Sequence, residues 1–393
     1  MRTRSLIPLQ AAPVLVAACL VTTSLDAQQA SLSYMLGKDT VAVEQFTRTA
    51  TSLVGEMVQR TGAAVVRFQY DVRLGADGRP VAATMRRLAA DGTVPPNAPT
   101  ETRIAVSRDS VVRTVVWNDS TQRRAFAARG AMINFPTFVY GPTELLAGLR
   151  RRGVVVDSLV AVGLAGSPGF TGLSPDGALS ARLRGGAYAM LLTFDAADRL
   201  LSVDGSGTTN KVLASRGAGG LDLAALARTM TPTGVLSQRD VARGAFGAGG
   251  IVLVDYGRPH VRERSVWGGT LVPTDSVWRA GANDATHLFT TRTLTFGGAG
   301  DATVTVEPGM YTLWVMHTAG GPRLIINRQT GQWGTVYDAS RDVGRVAMQL
   351  SPAPSWVEEL TFTVRSLAGN RGTLELAWGP SVASVPFTVT AGR

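Results

Sequence analysis

The sequence is poor in the residues that carry covalent and redox chemistry. Its 393 residues include a single cysteine, Cys19, which lies in an apolar segment near the N-terminus. If that segment is removed on export, the protein can form no disulfide, bind no metal through a thiolate and use no thiol nucleophile. The stability of the fold must then come from packing alone.

Histidine is almost as rare, with three in the chain, and the first of them is His260. A serine triad needs a histidine base, so the residues before His260 cannot form one by themselves. The motif Gly166-Ser167-Pro168-Gly169 also lacks the glycine that precedes the serine by two residues in a nucleophile elbow. Asp204-Gly205-Ser206 has the wrong order for an aspartic protease. The N-terminal half therefore contains no recognised catalytic motif.

Long apolar runs are absent beyond the N-terminus, and none approaches the roughly 20 residues of a membrane-spanning helix. At the N-terminus two arginines precede the mostly apolar residues 6–21, and Leu25-Asp26-Ala27 follows. This pattern predicts a signal peptide over residues 1–27 and a periplasmic or secreted protein without a transmembrane span. An alternative is that Val16-Ala17-Ala18-Cys19 is a lipobox, which would anchor a lipoprotein at Cys19.

Lysine is also scarce, since Lys38 and Lys211 are the two in the sequence, although the net charge is +10. Arginine supplies nearly all of the positive charge, and it is spread along the chain together with an excess of Ala, Gly and Val. This composition is typical of GC-rich coding, and basic residues do not alternate with aromatic ones as in RNA-binding sheets. We therefore expect no nucleic-acid partner.

The length exceeds what a single hydrophobic core usually supports, which predicts two domains, residues 28–236 and 237–393. In the first, β-branched and alternating stretches are separated by hairpin turns at residues 75–80 and 194–199. Only residues 142–152 and 221–228 have helical patterns. The fold class predicted for this part is an antiparallel β meander or half-open barrel with one or two short helices.

The second part contains about nine short strands punctuated by Gly and Pro, several of which alternate strictly between apolar and polar residues. This pattern predicts a C-terminal antiparallel β-sandwich, jelly-roll-like, so that the protein is mainly β. Trp314, Trp356 and Trp378 lie in or beside these strands and are expected in the core. Trp333 lies in a loop and is expected to be exposed.

Residues 255–286 hold the densest mixture of aromatic, arginine, asparagine and histidine side chains among Gly and Pro. Such side chains, fixed by turns, are typical of a recognition surface. An arginine can bind a carboxylate or phosphate with two hydrogen bonds, and an indole offers a stacking face. The candidate ligand-binding residues are Arg258, Trp278, Arg279, Asn283, Asp284, His287 and Trp333.

The same segment carries a resemblance to a known family. The matching motifs are Tyr256-Gly257-Arg258-Pro259, Trp267-Gly268-Gly269, Trp278-Arg279-Ala280-Gly281-Ala282-Asn283, Pro308-Gly309-Met310-Tyr311, Asn327, Gln332-Trp333-Gly334 and Tyr337-Asp338. They resemble, over about residues 245–390, bacterial exported proteins with the domain of unknown function family 2911. Glu263 and Met310 depart slightly from the family pattern. The resemblance implies a compact β domain in an exported protein, but no activity and no catalytic residues.

Three hypotheses follow for the function. The leading one is a non-catalytic binding or structural module that recognises an envelope glycan, lipid or peptide through the loops of residues 256–286. The alternative is a hydrolase or metal-dependent enzyme with a site at Asp284, His287, His260 and Arg279. In the third, the signature is purely structural, and Arg258 and Arg279 bind buried carbonyls or pair with acids. No histidine has the spacing of a metal motif, so the sequence predicts no metal and no cofactor.

Overall fold

The computed structural model describes residues 28–136, 138–156, 159–163, 169–185, 188–208, 211–298 and 302–390. The predicted signal peptide, Cys19 and Gly166-Ser167-Pro168 lie outside these residues. Within them, no helix combines the length and the apolar composition needed to cross a membrane.

The N-terminal part consists of a 15-stranded sheet and two helices. The elements are β1 Gln28–Leu36, β2 Asp39–Arg48, β3 Ser52–Arg60, β4 Val65–Leu74, β5 Pro80–Ala89, β6 Glu101–Val106, β7 Ser110–Val116, β8 Thr121–Ala127, β9 Met132–Ile133, α1 Thr143–Arg151, β10 Leu159–Val162, β11 Gly169–Pro175, β12 Ser180–Gly185, β13 Tyr188–Phe194, β14 Leu200–Asp204, β15 Leu213–Ala218 and α2 Leu223–Thr229.

Strand β1 lies in the middle of this sheet, whose order is β8-β7-β6-β5-β4-β3-β2-β1-β15-β14-β13-β12-β11-β10-β9. The chain adds β2 to β8 on one side, crosses to the far edge, and returns through β10 to β15 to pair with β1. Neighbouring strands are antiparallel except β9 and β10. Gly78, with a φ of 72°, makes the tight turn between β4 and β5. The predicted antiparallel β-rich fold with one or two short helices is confirmed.

A buried carboxylate fixes α1 and the loop before it to the inner face of the sheet. Glu44 on β2 accepts hydrogen bonds of 2.6 Å from the hydroxyls of Tyr34 and Tyr70. It also accepts the backbone N–H groups of Tyr140 and Gly141 at 3.0 and 3.1 Å. Since β1, β2 and β4 all contribute to this cluster, the hydrogen bonds of the Glu44 carboxyl group hold three strands and the loop together.

On the outer face of the sheet, helix α2 covers one end of β2, β3 and β4. Helix α2 is capped by Asp222, whose side chain accepts the N–H of Ala225 at 2.8 Å. Its buried residues pack on Val43, Val58 and Val65, which project from β2, β3 and β4. Beyond α2 the same face of these strands carries polar side chains that remain accessible to solvent.

The C-terminal part contains eleven strands in two sheets. The strands are β16 Arg239–Phe246, β17 Gly250–Gly257, β18 Val277–Trp278, β19 Thr286–Thr290, β20 Leu294–Phe296, β21 Val304–Val306, β22 Gly309–Thr318, β23 Gly321–Asn327, β24 Asp342–Ala347, β25 Gln349–Ser366 and β26 Arg371–Val389, with 3₁₀ turns at Gly247–Gly249 and Ala339–Arg341.

One sheet has the order β16-β17-β19-β22-β23-β24, with β18 added to β22, and the other has the order β21-β20-β26-β25. Their inward side chains form one core, in which Tyr256 of the first sheet meets Phe362 of the second at 5.0 Å between ring centroids. The predicted antiparallel sandwich is confirmed. No strand is shared between the N-terminal and C-terminal sheets in the described part of the chain.

The two parts meet where the β1–β2 turn contacts the loop after β17. Arg262 forms an ion pair with Asp39, and Lys38 pairs with Glu263 at 2.6 Å. Gly37, with a φ of 60°, lies so close that an added Cβ would be 2.3 Å from the carbonyl oxygen of Arg262. This close approach places residues of the N-terminal sheet beside the segment singled out in the sequence.

Candidate functional site

Arg258 serves mainly to hold the two sheets of the C-terminal part together. Its guanidinium pairs with Asp240 at 3.4 Å and with Glu359 at 3.0 Å. It also donates to the backbone oxygen of Leu360 and to the hydroxyl of Thr361, both at 3.3 Å. These contacts join β16 to β25, so the side chain is committed to the fold.

The three histidines occupy separate places. His260 Nε2 lies 3.0 Å from Glu359 Oε1, and His317 packs against Trp267 with 5.7 Å between ring centroids. His287 Nε2 accepts the N–H of Gly331 at 3.1 Å, and burial, with help from a nearby arginine, lowers the pKa of His287. Among the described residues, no group of three His, Cys, Asp or Glu could hold a metal ion.

A loop over residues 328–341 covers the outer face of the larger C-terminal sheet, and family-signature residues fasten it. Asn327 donates to the carbonyl of Asp338 at 2.8 Å and to the carboxylate of Asp342 at 2.9 Å. Tyr337 packs edge-on against Trp314 at 5.0 Å between centroids. Asn327 and Tyr337, two residues of the motifs shared with the family, therefore have a structural role.

The same loop meets the turn that contains Asn283 and Asp284. Gly334 donates its N–H to the carbonyl of Asn283 at 2.9 Å, and Asp284 forms an isolated β-bridge with Trp333. Trp333 is 45 % exposed, as expected from its place in a loop. Asn283, Asp284 and Trp333 thus form an exposed rim, whereas His287 lies behind it on β19.

Trp278 and Arg279 belong instead to a pocket at the contact between the two parts, here called the junction pocket. Its floor is the indole of Trp278 stacked on Trp378, with 5.5 Å between ring centroids and 12° between planes. The cavity measures about 160 Å³. It is lined by Leu36, Lys211, Leu236, Ser237, Pro259, His260, Arg262, Arg264, Leu271, Trp278, Arg279, Gly281, Ala282, Asn283 and Trp378.

Lys211 reaches this pocket from the N-terminal part. Its ammonium donates to the backbone oxygens of Ser206 and Thr270 at 2.9 and 3.0 Å. Burial, followed by the positive charges of Arg279 and Arg264, lowers the pKa of Lys211 to about 8. Lys211 is therefore close enough to Arg279 and to Arg264 to be repelled by both.

Arg264 is also held by carbonyl oxygens, those of Val261 at 2.9 Å and His260 at 2.8 Å. Burial, followed by the charge of Arg262, lowers the pKa of Arg264 to about 10. None of the described residues that line the junction pocket is Asp or Glu. Arg262, which also lines the pocket, pairs with Asp39, and the other cationic residues of the lining are Lys211, Arg264 and Arg279.

The backbone around the pocket adopts an uncommon conformation. Lys211, Ser237, Arg262 and Asn283 all line the cavity and have φ angles of 50°, 59°, 51° and 62°. A residue other than glycine is disfavoured there, by about 1 kcal/mol, and such residues cluster at ligand sites. The four residues come from both parts of the chain, and two of them, Lys211 and Arg262, are cationic.

The structure thus brings Trp278, Arg279 and Asn283 of the predicted residues to one pocket, together with His260 of the alternative enzyme site. It places Arg258, Asp284, His287 and Trp333 elsewhere. Lys211 and Arg264 were not predicted. The one signal in the sequence was the rarity of lysine, because an isolated lysine in an arginine-rich chain is a candidate for a specific role.

Comparison with known proteins agrees with the resemblance identified in the sequence. Residues 237–387 match the family model described as "Protein of unknown function (DUF2911)". The chain matches no curated protein. A solved DUF1089 family protein from Pseudomonas aeruginosa is 12 % identical, with a TM-score of 0.30, over 42 % of this chain and 91 % of that chain. The matched region includes every residue of the junction pocket except Leu36, Lys211 and Leu236.

Proposed function

We propose that this protein is a binding protein of the bacterial envelope whose junction pocket takes an anionic group of an envelope glycan, lipid or peptide. The observation that carries the proposal is the clustering of Lys211, Arg264 and Arg279 around one cavity whose described lining contains no acidic residue. Charges of one sign that line the same partly buried pocket repel one another, and this repulsion contributes to the lowered pKa of Lys211. A bound carboxylate or phosphate removes that repulsion.

The size of the pocket limits what enters it. At about 160 Å³ it has room for roughly five water molecules at about 30 Å³ each. That suits a carboxylate, a phosphate or a similar headgroup with a few adjoining atoms. The stacked indoles offer an apolar floor for the ring or chain next to the anion. The rest of the ligand would lie outside, along the rim formed by Asn283 and Trp333.

The export expected from the sequence supports an envelope ligand. A signal peptide is expected over residues 1–27, and the resemblance is to exported proteins. Envelope polymers and lipids carry the carboxylates and phosphates that arginine and lysine bind. The function proposed is therefore recognition of such a component rather than its chemical conversion.

Binding is favoured over the hydrolase hypothesis by the arrangement of the candidate groups. A hydrolytic site would need Asp284 or His287 beside Arg279. Neither residue lines the junction pocket, and the imidazole of His287 is engaged by the backbone N–H of Gly331. His260 does line the pocket, but its Nε2 faces Glu359 at 3.0 Å.

The test compares the two lysines. Inorganic phosphate and phenyl phosphate are titrated into the wild type, Lys211→Gln and Lys38→Gln, and tryptophan fluorescence and calorimetry report binding. We expect Lys211→Gln to weaken binding about tenfold, as for loss of a charge-assisted hydrogen bond, and Lys38→Gln to have no effect. Wild-type affinity should also fall as the pH rises through about 8, where Lys211 loses its proton.

Two results would overturn the proposal. One is the absence of anion binding by the wild type at low ionic strength. The other is an equal effect of the two lysine substitutions, since Lys38 is 61 % exposed, pairs with Glu263 and does not line the pocket.

A further inference from the structure

A groove crosses the outer face of the N-terminal sheet beside α2, and neither the family match nor the junction pocket involves it. A cavity of about 620 Å³ extends over β1 to β6. A second, of about 570 Å³, continues it to β7 and shares Gln69, Arg86, Glu101 and Arg103 with the first. Together they form one continuous depression, here called the outer-face groove.

From this groove we infer a second binding site, for a linear polyhydroxylated chain without net charge, such as a glycan strand. The strand register supplies the first argument. Thr47, Val54, Asp71, Thr84 and Arg103 are successive cross-strand partners from β2 to β6. They form a row that runs perpendicular to the strands along the floor of the groove.

A second row runs beside the first, two residues along each strand, and consists of Gln45, Glu56, Gln69 and Arg86. With strands about 4.8 Å apart, the groove from β1 to β7 is about 29 Å long, and the rows are about 7 Å apart. A sheet face with two such rows presents hydrogen-bonding groups at a regular spacing. A polymer with hydroxyls on both edges of each unit can contact both rows at once.

Several side chains of the groove are held in place before any ligand binds. Glu101 is nearly buried and pairs with Arg86 at 3.2 Å and also with Arg103. Glu56 accepts from Gln69 at 2.9 Å. Gln45 is fixed by two hydrogen bonds to the backbone of Leu221, just before α2. Fixed donors and acceptors lose little conformational entropy on binding, and both kinds are needed because a hydroxyl donates and accepts.

The chemistry of the lining argues against other ligands. The larger cavity contains Glu56, Asp71 and Glu101 against Arg86 and Arg103, so it lacks the cationic excess that nucleic acid requires. Lipid tails need an apolar lining. A peptide that extends a sheet needs an unpaired edge, whereas β2 to β6 are paired on both sides. Val54, the second residue of the first row, is 46 % exposed and offers an apolar contact to a sugar ring.

The experiment uses the full chain and neutral cello- and chito-oligosaccharides from disaccharide to hexasaccharide, with binding followed by calorimetry. Affinity should rise with chain length, because a longer chain reaches more of both rows. Asp71→Ala and Arg103→Ala should each weaken hexasaccharide binding about five- to tenfold through the loss of one or two hydrogen bonds. Arg73→Ala is the matched control, since Arg73 is exposed on β4, two residues from Asp71, and does not line the groove.

The inference is independent of the anion site, because none of these substitutions touches the junction pocket. Failure of the wild type to bind any of the saccharides would overturn it, as would equal losses in Arg73→Ala. Binding of a neutral polar hexapeptide with no saccharide binding would assign the groove to peptides and also overturn it. Melting temperatures of the variants distinguish these outcomes from unfolding, since all three substitutions are on the surface.

Discussion

The buried carboxylate of Glu44 provides the sharpest test of how the N-terminal part is held together. It accepts two tyrosine hydroxyls and the backbone N–H groups of Tyr140 and Gly141, and no part of it is exposed. Glu44→Ala removes every acceptor in one step. The tyrosine hydroxyls can turn to other partners, but the two backbone N–H groups cannot move without shifting the loop that leads into α1.

The expected loss of stability follows from the buried donors that lose their acceptor. A buried donor that loses its acceptor costs about 1–3 kcal/mol, so two amides give about 2–6 kcal/mol before any cavity is counted. We expect Glu44→Ala to lower the free energy of unfolding by about 4 kcal/mol. Glu44→Gln should recover most of this loss, because the amide oxygen can accept both backbone N–H groups while its nitrogen donates to the hydroxyl of Tyr70.

Urea unfolding followed by far-ultraviolet circular dichroism measures both values, with Asp71→Ala as a control that should change stability by less than about 0.5 kcal/mol.

The pH dependence of the free energy of unfolding adds a second check. Burial raises the pKa of Glu44, so the native state binds this proton more tightly than the unfolded chain. Its contribution to stability is therefore complete below the unfolded pKa of about 4.5 and is lost as the pH rises through the native pKa. Equal costs for the alanine and glutamine variants would refute the reasoning.

Three further predictions concern the junction and the larger C-terminal sheet. The rate of Lys211 acetylation should rise with pH around a pKa near 8, well below the pKa of Lys38. Mass spectrometry of acetylated peptides between pH 7 and pH 10 measures both rates. Equal pH dependence of the two lysines would contradict the prediction. Because the native pKa of His287 is lowered, its contribution to stability is present above the unfolded pKa of 6.5 and lost as the pH falls. His287→Gln should therefore flatten the decline in melting temperature between about pH 7 and pH 5, and an unchanged slope would count against it. Gly37→Ala should loosen the contact between the two parts and speed limited proteolysis there, whereas Gly207→Ala, with open space around its Cβ, should not.

The strand content was predictable because alternation and turn residues are local signals. Helix α1 was predicted over residues 142–152 and occupies Thr143–Arg151. The order of the strands was not predictable, since the return of the chain to pair β15 with β1 depends on contacts nearly 190 residues apart. Trp356 was expected in the core but is 56 % exposed, because β25 shifts register on either side of Val357. A bulge of that kind changes which face a side chain occupies without changing the composition of the strand.

The candidate site was only partly accessible to sequence reasoning. Trp278, Arg279 and Asn283 came from a dense segment whose aromatic and polar content is visible in a short window. Lys211 lies 44 residues before that segment begins, in a stretch with no motif, and only the contact between the two parts makes it a neighbour of Arg279. Arg264 was within the segment but could not be distinguished from the arginines that bind carboxylates.

The family signature therefore serves two purposes that the sequence does not separate. Asn327 and Tyr337 fasten a loop to the sheet, and the same would be expected in any chain that folds this way. Trp278 and Arg279 supply the floor and one cation of a pocket whose third cation, Lys211, lies outside residues 237–387. The anion site proposed here thus depends on the N-terminal part. A chain that shares only the matched region would have two cations at this position. The repulsion between the cations would be weaker, and the affinity for a phosphate or carboxylate would be lower.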